Sequence, residues 1–186
     1  VTDAGMRTSD PDIYAVGDAV QVTNFVTGEP DFVPLAGPAG RQGRIAAENI
    51  LGAGSRYAGA QGSGILRVFG LTAACTGINE ERARRRKIDC GSVDLEYPSH
   101  AGYYPGAEEI FMKAVFEKGT GKILGAQFTG RDGVDKRCDV MAAAIRMGAT
   151  ASDLTRFELC YAPPFGTPKD IVNVAGDLIE KRLGAE

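Results

Sequence analysis

"EIFMKAVFEKGTGKILGAQFTG", residues 109–130, sets two runs rich in apolar residues on either side of Gly119-Thr120-Gly121. The glycines permit a tight reversal, so 109–118 and 122–130 are predicted as an antiparallel hairpin. Upstream, "GILRVFGL" (64–71), "TAACTGI" (72–78) and "KIDCGSVDLEY" (87–97) read as further strands. Among them "NEERARRRK" (79–87) reads as a short charged helix with Asn79 as N-cap. Downstream, "VDKRCDVMAAAIRMG" (134–148) places Val134, Cys138, Met141 and Ile145 on one stripe and closes on Gly148. Residues 151–157 are predicted as a short helix capped by Ser152. The last helix is expected over 168–184, with Pro168 in its first turn and Ile171, Val174, Ala175, Leu178 and Ile179 on its apolar face. Strands grouped before helices make this part α+β, an antiparallel sheet with helices packed on one face.

The N-terminal part follows another pattern. "DIYAVGDAV" (12–20) is read as a short strand, Ile13 to Val16, ending at Gly17-Asp18. In open α/β sheets that end of a strand faces the ligand crevice. "VPLAGPAGRQGRIAAENILG" (33–52) carries Ile45, Ala46, Asn49 and Ile50 at helical spacing, with Gly52 as C-cap. Glycines and Pro38 near its start leave backbone N–H groups free for electron-rich ligand atoms. Residues 53–64 are small, glycine-rich and nearly uncharged, and are expected to be a linker.

Composition narrows the classes. The chain has 186 residues, 44% hydrophobic and 24% charged, enough for one domain or one domain plus part of another. With 21 Lys+Arg against 24 Asp+Glu the net charge is −3, which carries no footprint of nucleic-acid binding. No apolar run reaches the length of a membrane span. Cys75, Cys90, Cys138 and Cys160 form no C-x-x-C pair, and the single His100 completes no recognised zinc set. They are expected to be buried or half-buried free thiols in a reducing cytoplasm. Cys160 precedes Tyr161, but no neighbouring cation would lower its pKa.

"TSDPDIYAVGDAV" with "LAGPAGRQGRIAAENI" resembles the closing segment of the FAD domain of flavoprotein pyridine nucleotide-disulfide oxidoreductases. Residues 65–183 resemble their C-terminal dimerisation domain. "HAGYYPGAEEI" and "YAPPFGTPKDIVNVAG" are similar to the subgroup of CoA-disulfide reductases, water-forming NADH oxidases, NADH peroxidases and persulfide reductases. The organisation then expected is 1–52 as an incomplete end of the FAD domain, 53–64 as linker and 65–186 as dimerisation domain. No G-x-G-x-x-G opens a βαβ unit, and the family's redox cysteine has no candidate position. The chain is therefore read as a C-terminal piece, inactive alone and unable to hold FAD firmly. A homodimer through 65–183 is expected. Without the body of the FAD domain, Ile13, Val16, Ile45 and Ile50 should show apolar surface.

The resemblance implies site residues, each with a plainer reading beside it. Gly17 and Asp18 would meet the FAD ribityl chain, or form a turn bonded to its own backbone. Leu35, Ala36 and Gly37 would offer backbone donors to the flavin, or form an ordinary helix entry. Arg41, Gln42 and Arg44 would meet a CoA phosphate or a neighbouring subunit, or lie on a solvated helix face. Tyr161 would stand beside the CoA sulfur of the partner subunit's site, where a phenol can stabilise a leaving thiolate. One of Tyr103 and Tyr104 would join it, and adjacent side chains of an extended segment point opposite ways. Interface packing is the plain alternative for Tyr103 and Tyr104, and packing between the prolines is that for Tyr161. Pro163 and Pro164 stiffen the segment, and Phe165 would wall the flavin edge. Lys169 would touch substrate, or be one of the first-turn residues of the last helix with Asp170 and Asn173. The substrates implied are NAD(P)H with CoA disulfide or CoA persulfide.

Overall fold

A computed structural model of the chain describes residues 1–184. They fall into two compact units, Val1–Gly62 and Ser63–Glu186.

The second unit is built on a five-stranded antiparallel sheet. Its strands are β3 (Gly64–Val68), β4 (Leu71–Gly77), β5 (Cys90–Pro98), β6 (Glu109–Glu117) and β7 (Ile123–Gly130), in the order β3-β4-β7-β6-β5. The β6–β7 hairpin lies at its heart, turning through Gly119 and Gly121, both at positive φ. One cross-strand row, Ala74–Phe128–Met112–Leu95, lies toward the helices, and its first three members are buried. The next row, Leu66–Ala73–Thr129–Phe111–Glu96, lies on the other face, where Leu66 and Phe111 are exposed. This alternation follows from the two-residue period of a strand. The fold is α+β, as the segment order predicts.

Helix α2 (Glu80–Arg85) starts at Asn79, whose Oδ1 accepts from Arg82 N at 2.8 Å. Helix α3 (Val134–Met147) packs on β4 and β7 and ends at Gly148, at φ 72°. Helix α4 (Ala151–Arg156) and helix α5 (Ile171–Leu183) pack against each other, and α5 covers β5 and β6.

Three local expectations are corrected. The cap of α4 is Thr150, not Ser152: Thr150 Oγ1 and Asp153 Oδ2 form a reciprocal capping box. Helix α5 begins at Ile171 with Asp170 as its N-cap, so Pro168 and Lys169 precede it. Its buried stripe is Ile171, Val172, Asn173, Ala175, Gly176 and Ile179, turned away from Val174 and Leu178. Gly176 explains the rotation. A Cβ there would lie 2.8 Å from Ala151 O and 2.9 Å from Thr155 N, so the bare glycine lets α4 approach closely.

In the first unit, Ile13–Val16 is not a strand. Arg7 and Tyr14 share one isolated bridge, and a strand without a ladder has no means of holding its shape. Gly17–Ala19 forms a 3-10 turn, followed by a two-stranded ribbon of β1 (Val22–Thr23) and β2 (Pro30–Asp31). Helix α1 (Ala36–Ile50) buries Gln42 and Ala46 instead of the full predicted stripe. Ile13, Val16 and Ile50 are exposed and Ile45 is half-buried. The glycine-rich stretch after α1 is held, not loose. Tyr57 N donates to Ala4 O, Ala60 N donates to Thr23 O, and Ala60 packs with Val20 and Val22.

The tightest approach in the sheet is at β4 and β7. A Cβ on Gly125 would lie 1.9 Å from Ile78 O, whereas one on Gly64 meets nothing. Gly125→Ala should therefore destabilise the chain by about 3 kcal/mol or more. Gly64→Ala should stay within about 0.5 kcal/mol of the parent in the same chemical denaturation series.

Candidate functional site

Two loops carry the aromatic residues singled out above. The first, 99–108, leaves the end of β5. Its base is closed by Ser99 N donating to Glu108 O and Glu108 N donating to Ser99 Oγ. The second, 157–170, runs from α4 to α5 through Pro163 and Pro164, with Phe165 N donating to Ala162 O in a turn. Ala101 N donates to Pro163 O at 3.3 Å and joins the two.

This junction brings Tyr103 and Tyr161 together, with their hydroxyl oxygens 3.3 Å apart. Tyr104 goes elsewhere: its ring meets His100 edge-on, with centroids 5.9 Å apart. Tyr103 and Tyr161 are respectively 77% and 45% exposed, so the paired phenols face outward. The hydrogen bond shared with Tyr103 raises the Tyr161 pKa above the ordinary phenol value. At neutral pH the Tyr161 hydroxyl therefore keeps its proton. A phenol supported by a hydrogen-bonded neighbour can stabilise a sulfur anion without a change of protonation at that pH.

Beneath the loops lies a group that the sequence reading did not single out. Arg137, in the first turn of α3, is 2% exposed, and Asp170, the N-cap of α5, is 4% exposed. Arg137 Nε and Nη2 donate to Asp170 Oδ2 at 3.0 and 2.8 Å. Nη2 also donates to Ser99 O at 2.7 Å, and Nη1 to Gly133 O at 3.1 Å. The neighbouring Lys136 Nζ donates to Phe165 O at 2.8 Å. A sequence signal existed: Arg137 falls on the buried stripe of α3, where a lone charge demands a partner. Asn173 continues the network, receiving Asp170 N and donating to the carbonyls of Leu154 and Phe157.

The other candidates are distributed as follows. Phe165 is exposed, its carbonyl held by Lys136. Lys169 is ion-paired with Asp177 of α5. Gly17, Asp18, Leu35, Ala36, Gly37, Arg41 and Arg44 all lie in the first unit. There Gly17 adopts φ 77°, and its N–H donates to Gln42 Oε1 at 2.8 Å. Gln42 is thus a buried tie rather than a surface contact. Asp18 is exposed in the turn so docked. Leu35 caps α1 without a side-chain bond, leaving N–H groups of the first turn available to a ligand. An exposed carboxylate and open helix donors suit a ligand rich in hydroxyl and carbonyl groups, as FAD is. Arg44 pairs with Glu48 one turn on, and Arg41 is exposed.

All four cysteines are free thiols. Burial pushes the Cys138 thiol up to about 12 and Cys90 is half-buried, but Cys75 and Cys160 are exposed, against the expectation of burial. Among the described residues, no cluster could hold a metal ion, and no helix is long and apolar enough to cross a membrane.

Tyr103→Phe should lower the phenol ionisation of Tyr161 in an alkaline absorbance titration, with Tyr161→Phe as the reference. Tyr104→Phe should leave it in place. The sign is that of a raised acid. The hydrogen-bonded neutral phenol stabilises the fold below the ordinary range, and that contribution fades as pH climbs through the raised value. Separately, Asp170→Ala leaves Arg137 buried and unpaired, and should cost about 3–5 kcal/mol in chemical denaturation.

Comparison with known proteins places the chain. Residues 66–170 match the family model described as pyridine nucleotide-disulphide oxidoreductase, dimerisation domain. Coenzyme A disulfide reductase of Staphylococcus epidermidis is 38% identical over 171 residues, 91% of this chain and 39% of that protein. An NADH oxidase of Methanocaldococcus jannaschii is 35% identical over 178 residues, 96% of this chain and 40% of that protein. Among solved structures, reduced Bacillus anthracis CoADR-RHD superposes with a TM-score of 0.95 at 46% identity, covering 99% of this chain and 33% of that one. The NAD-dependent persulfide reductase from A. fulgidus gives 0.94 at 40%, covering 98% and 34%. The chain thus spans 39% or 40% of the length of these two curated relatives. Through residues 66–170, it belongs to the pyridine nucleotide-disulphide oxidoreductases.

Proposed function

We propose that this chain is the C-terminal part of an FAD-dependent, NAD(P)H-oxidising reductase that cleaves the disulfide or persulfide of coenzyme A. The observation that carries the reading is the outward-facing pair of Tyr103 and Tyr161, with hydroxyls 3.3 Å apart. In the disulfide case, CoA disulfide, NAD(P)H and a proton give two CoA thiols and NAD(P)⁺. The S–S bond breaks, and the nicotinamide supplies the electron pair. FAD, when bound, relays that pair.

The residues of this chain then do three things. Asp18 and the open N–H groups of Ala36 and Gly37 hydrogen-bond the flavin cofactor, whereas the Leu35 N–H already donates to Val33 O at 2.9 Å and leaves that residue only a packing role. One hydroxyl of the Tyr161–Tyr103 pair, supported by its hydrogen bond with the other, donates to the CoA sulfur as it leaves as a thiolate, in the partner subunit's site. Phe165, on its stiffened loop, closes that site against water. Arg41, Arg44 and Lys169 remain candidates for the CoA phosphates, the last two after exchanging present ion pairs.

Association fits the exposed surface. Leu66, Val68, Phe69, Leu71 and Phe111 are all exposed in the second unit, with Phe69 at the tip of the β3–β4 hairpin. A homodimer through this unit would cover apolar area that water disfavours.

In the full-length enzyme, Tyr161→Phe should lower NAD(P)H-dependent turnover of CoA disulfide on the order of 10²-fold at unchanged flavin content. Full turnover in a folded, flavin-loaded variant would overturn the reading. The parent should be run beside it with CoA persulfide and with oxygen. Oxygen reduction at the higher kcat/KM would instead favour the NADH oxidase reading. On size exclusion at micromolar concentration the chain should run as a dimer, and Phe111→Glu should shift it toward monomer.

A further inference from the structure

We propose that Arg137 is the positioning residue of the tyrosine pair, one guanidinium that sets the relative place of both loops. The inference rests on the reading above that the pair meets substrate. Its structural core can be tested without that reading.

Four observations carry it. Arg137 is buried and its hydrogen bonds go to neither tyrosine, yet it bonds the base of each loop that bears one. Ser99 O, at 2.7 Å, starts the loop of Tyr103, and Asp170, at 2.8 and 3.0 Å, ends the loop of Tyr161. Nη2 serves both at once, so the two loop bases are registered through a single nitrogen. Finally, the site is cut to fit this side chain. A Cβ on Gly133 would lie 2.0 Å from Arg137 Nη1, and Gly133 also needs φ 70°.

The planar fork explains why this is arginine. Lysine has one compact ammonium on a flexible stem and cannot reproduce a two-point grip on Asp170 while also reaching Ser99 O and Gly133 O. Charge balance alone would accept lysine; registry of the loops would not. Lys136 assists from the next position by fixing Phe165 O, so the first turn of α3 governs both aromatic loops.

The experiment uses the full chain with ring-labelled tyrosine, assigned by Tyr103→Phe and Tyr161→Phe. In the parent, ring protons of Tyr103 and Tyr161 should show mutual NMR cross-relaxation. Arg137→Lys, which keeps the charge, should retain cooperative unfolding but lose that signal. It should also lower the alkaline ionisation of Tyr161, as Tyr103→Phe does. Gly133→Ala displaces the guanidinium without altering Asp170 or either tyrosine. It should have the same effect, and it provides the test if Arg137→Lys does not fold. In the full-length enzyme, Arg137→Lys should lower kcat/KM for CoA disulfide about 10- to 100-fold at constant flavin content.

A folded Arg137→Lys or Gly133→Ala chain that keeps both the cross-relaxation and the raised ionisation would overturn the proposal. Unchanged turnover in Tyr161→Phe would instead sink the functional reading and leave the positioning result standing.

Discussion

A buried ion pair organises the face of the second unit that bears the two tyrosine loops. Arg137 and Asp170 are held by three hydrogen bonds that engage both carboxylate oxygens, in a region that water barely reaches. Such a pair gains little net stability, because desolvating both charges offsets most of their attraction. Its consequence is geometric. Neither charge can be left alone without a large cost, so the first turn of α3, the start of α5 and the carbonyl of Ser99 must meet in one arrangement. The capping box of α5 and the bonds of Asn173 to Leu154 O and Phe157 O extend that constraint to α4. The tyrosine loops are irregular, yet their bases are fixed as firmly as helix ends.

The stiffness of "CYAPPFGTPKD" thereby gains a mechanical context. Pro163 and Pro164 restrict the backbone, but restriction without anchorage would leave a rigid arm free to swing. Anchorage comes from Asp170 behind the prolines, Lys136 on Phe165 O, and Ala101 on Pro163 O. With these, two exposed phenols can be held at hydrogen-bond distance while remaining open to a ligand.

Much of this was legible in the chain. The β6–β7 hairpin, the helical stripe of α3 with its Gly148 cap, and Asn79 at the head of α2 rest on local chemistry, and local chemistry is readable. Where two residues compete for one role, reading fails. Ser152 and Thr150 are both good caps, and only the backbone path selects Thr150. The stripe of α5 is turned because Gly176 lets α4 approach, a fact about a neighbour rather than about the helix. Ile13–Val16 has strand composition, but a strand is a relation between segments, and a single bridge at Tyr14 does not supply it.

By itself the sequence determined the antiparallel sheet, the order of strands before helices, and the motif that marks the family. Those follow from periodicity, turn residues and stiff backbone positions within a few residues of one another. Only the tertiary structure decided that Tyr103 rather than Tyr104 meets Tyr161. It also decided that Arg137 and not an exposed cation underlies the site. The physical reason is distance along the chain. Tyr103 and Tyr161 are 58 positions apart, and Arg137 and Asp170 are 33 apart. Contacts of that span are set by how the sheet and helices pack, which no local signal encodes.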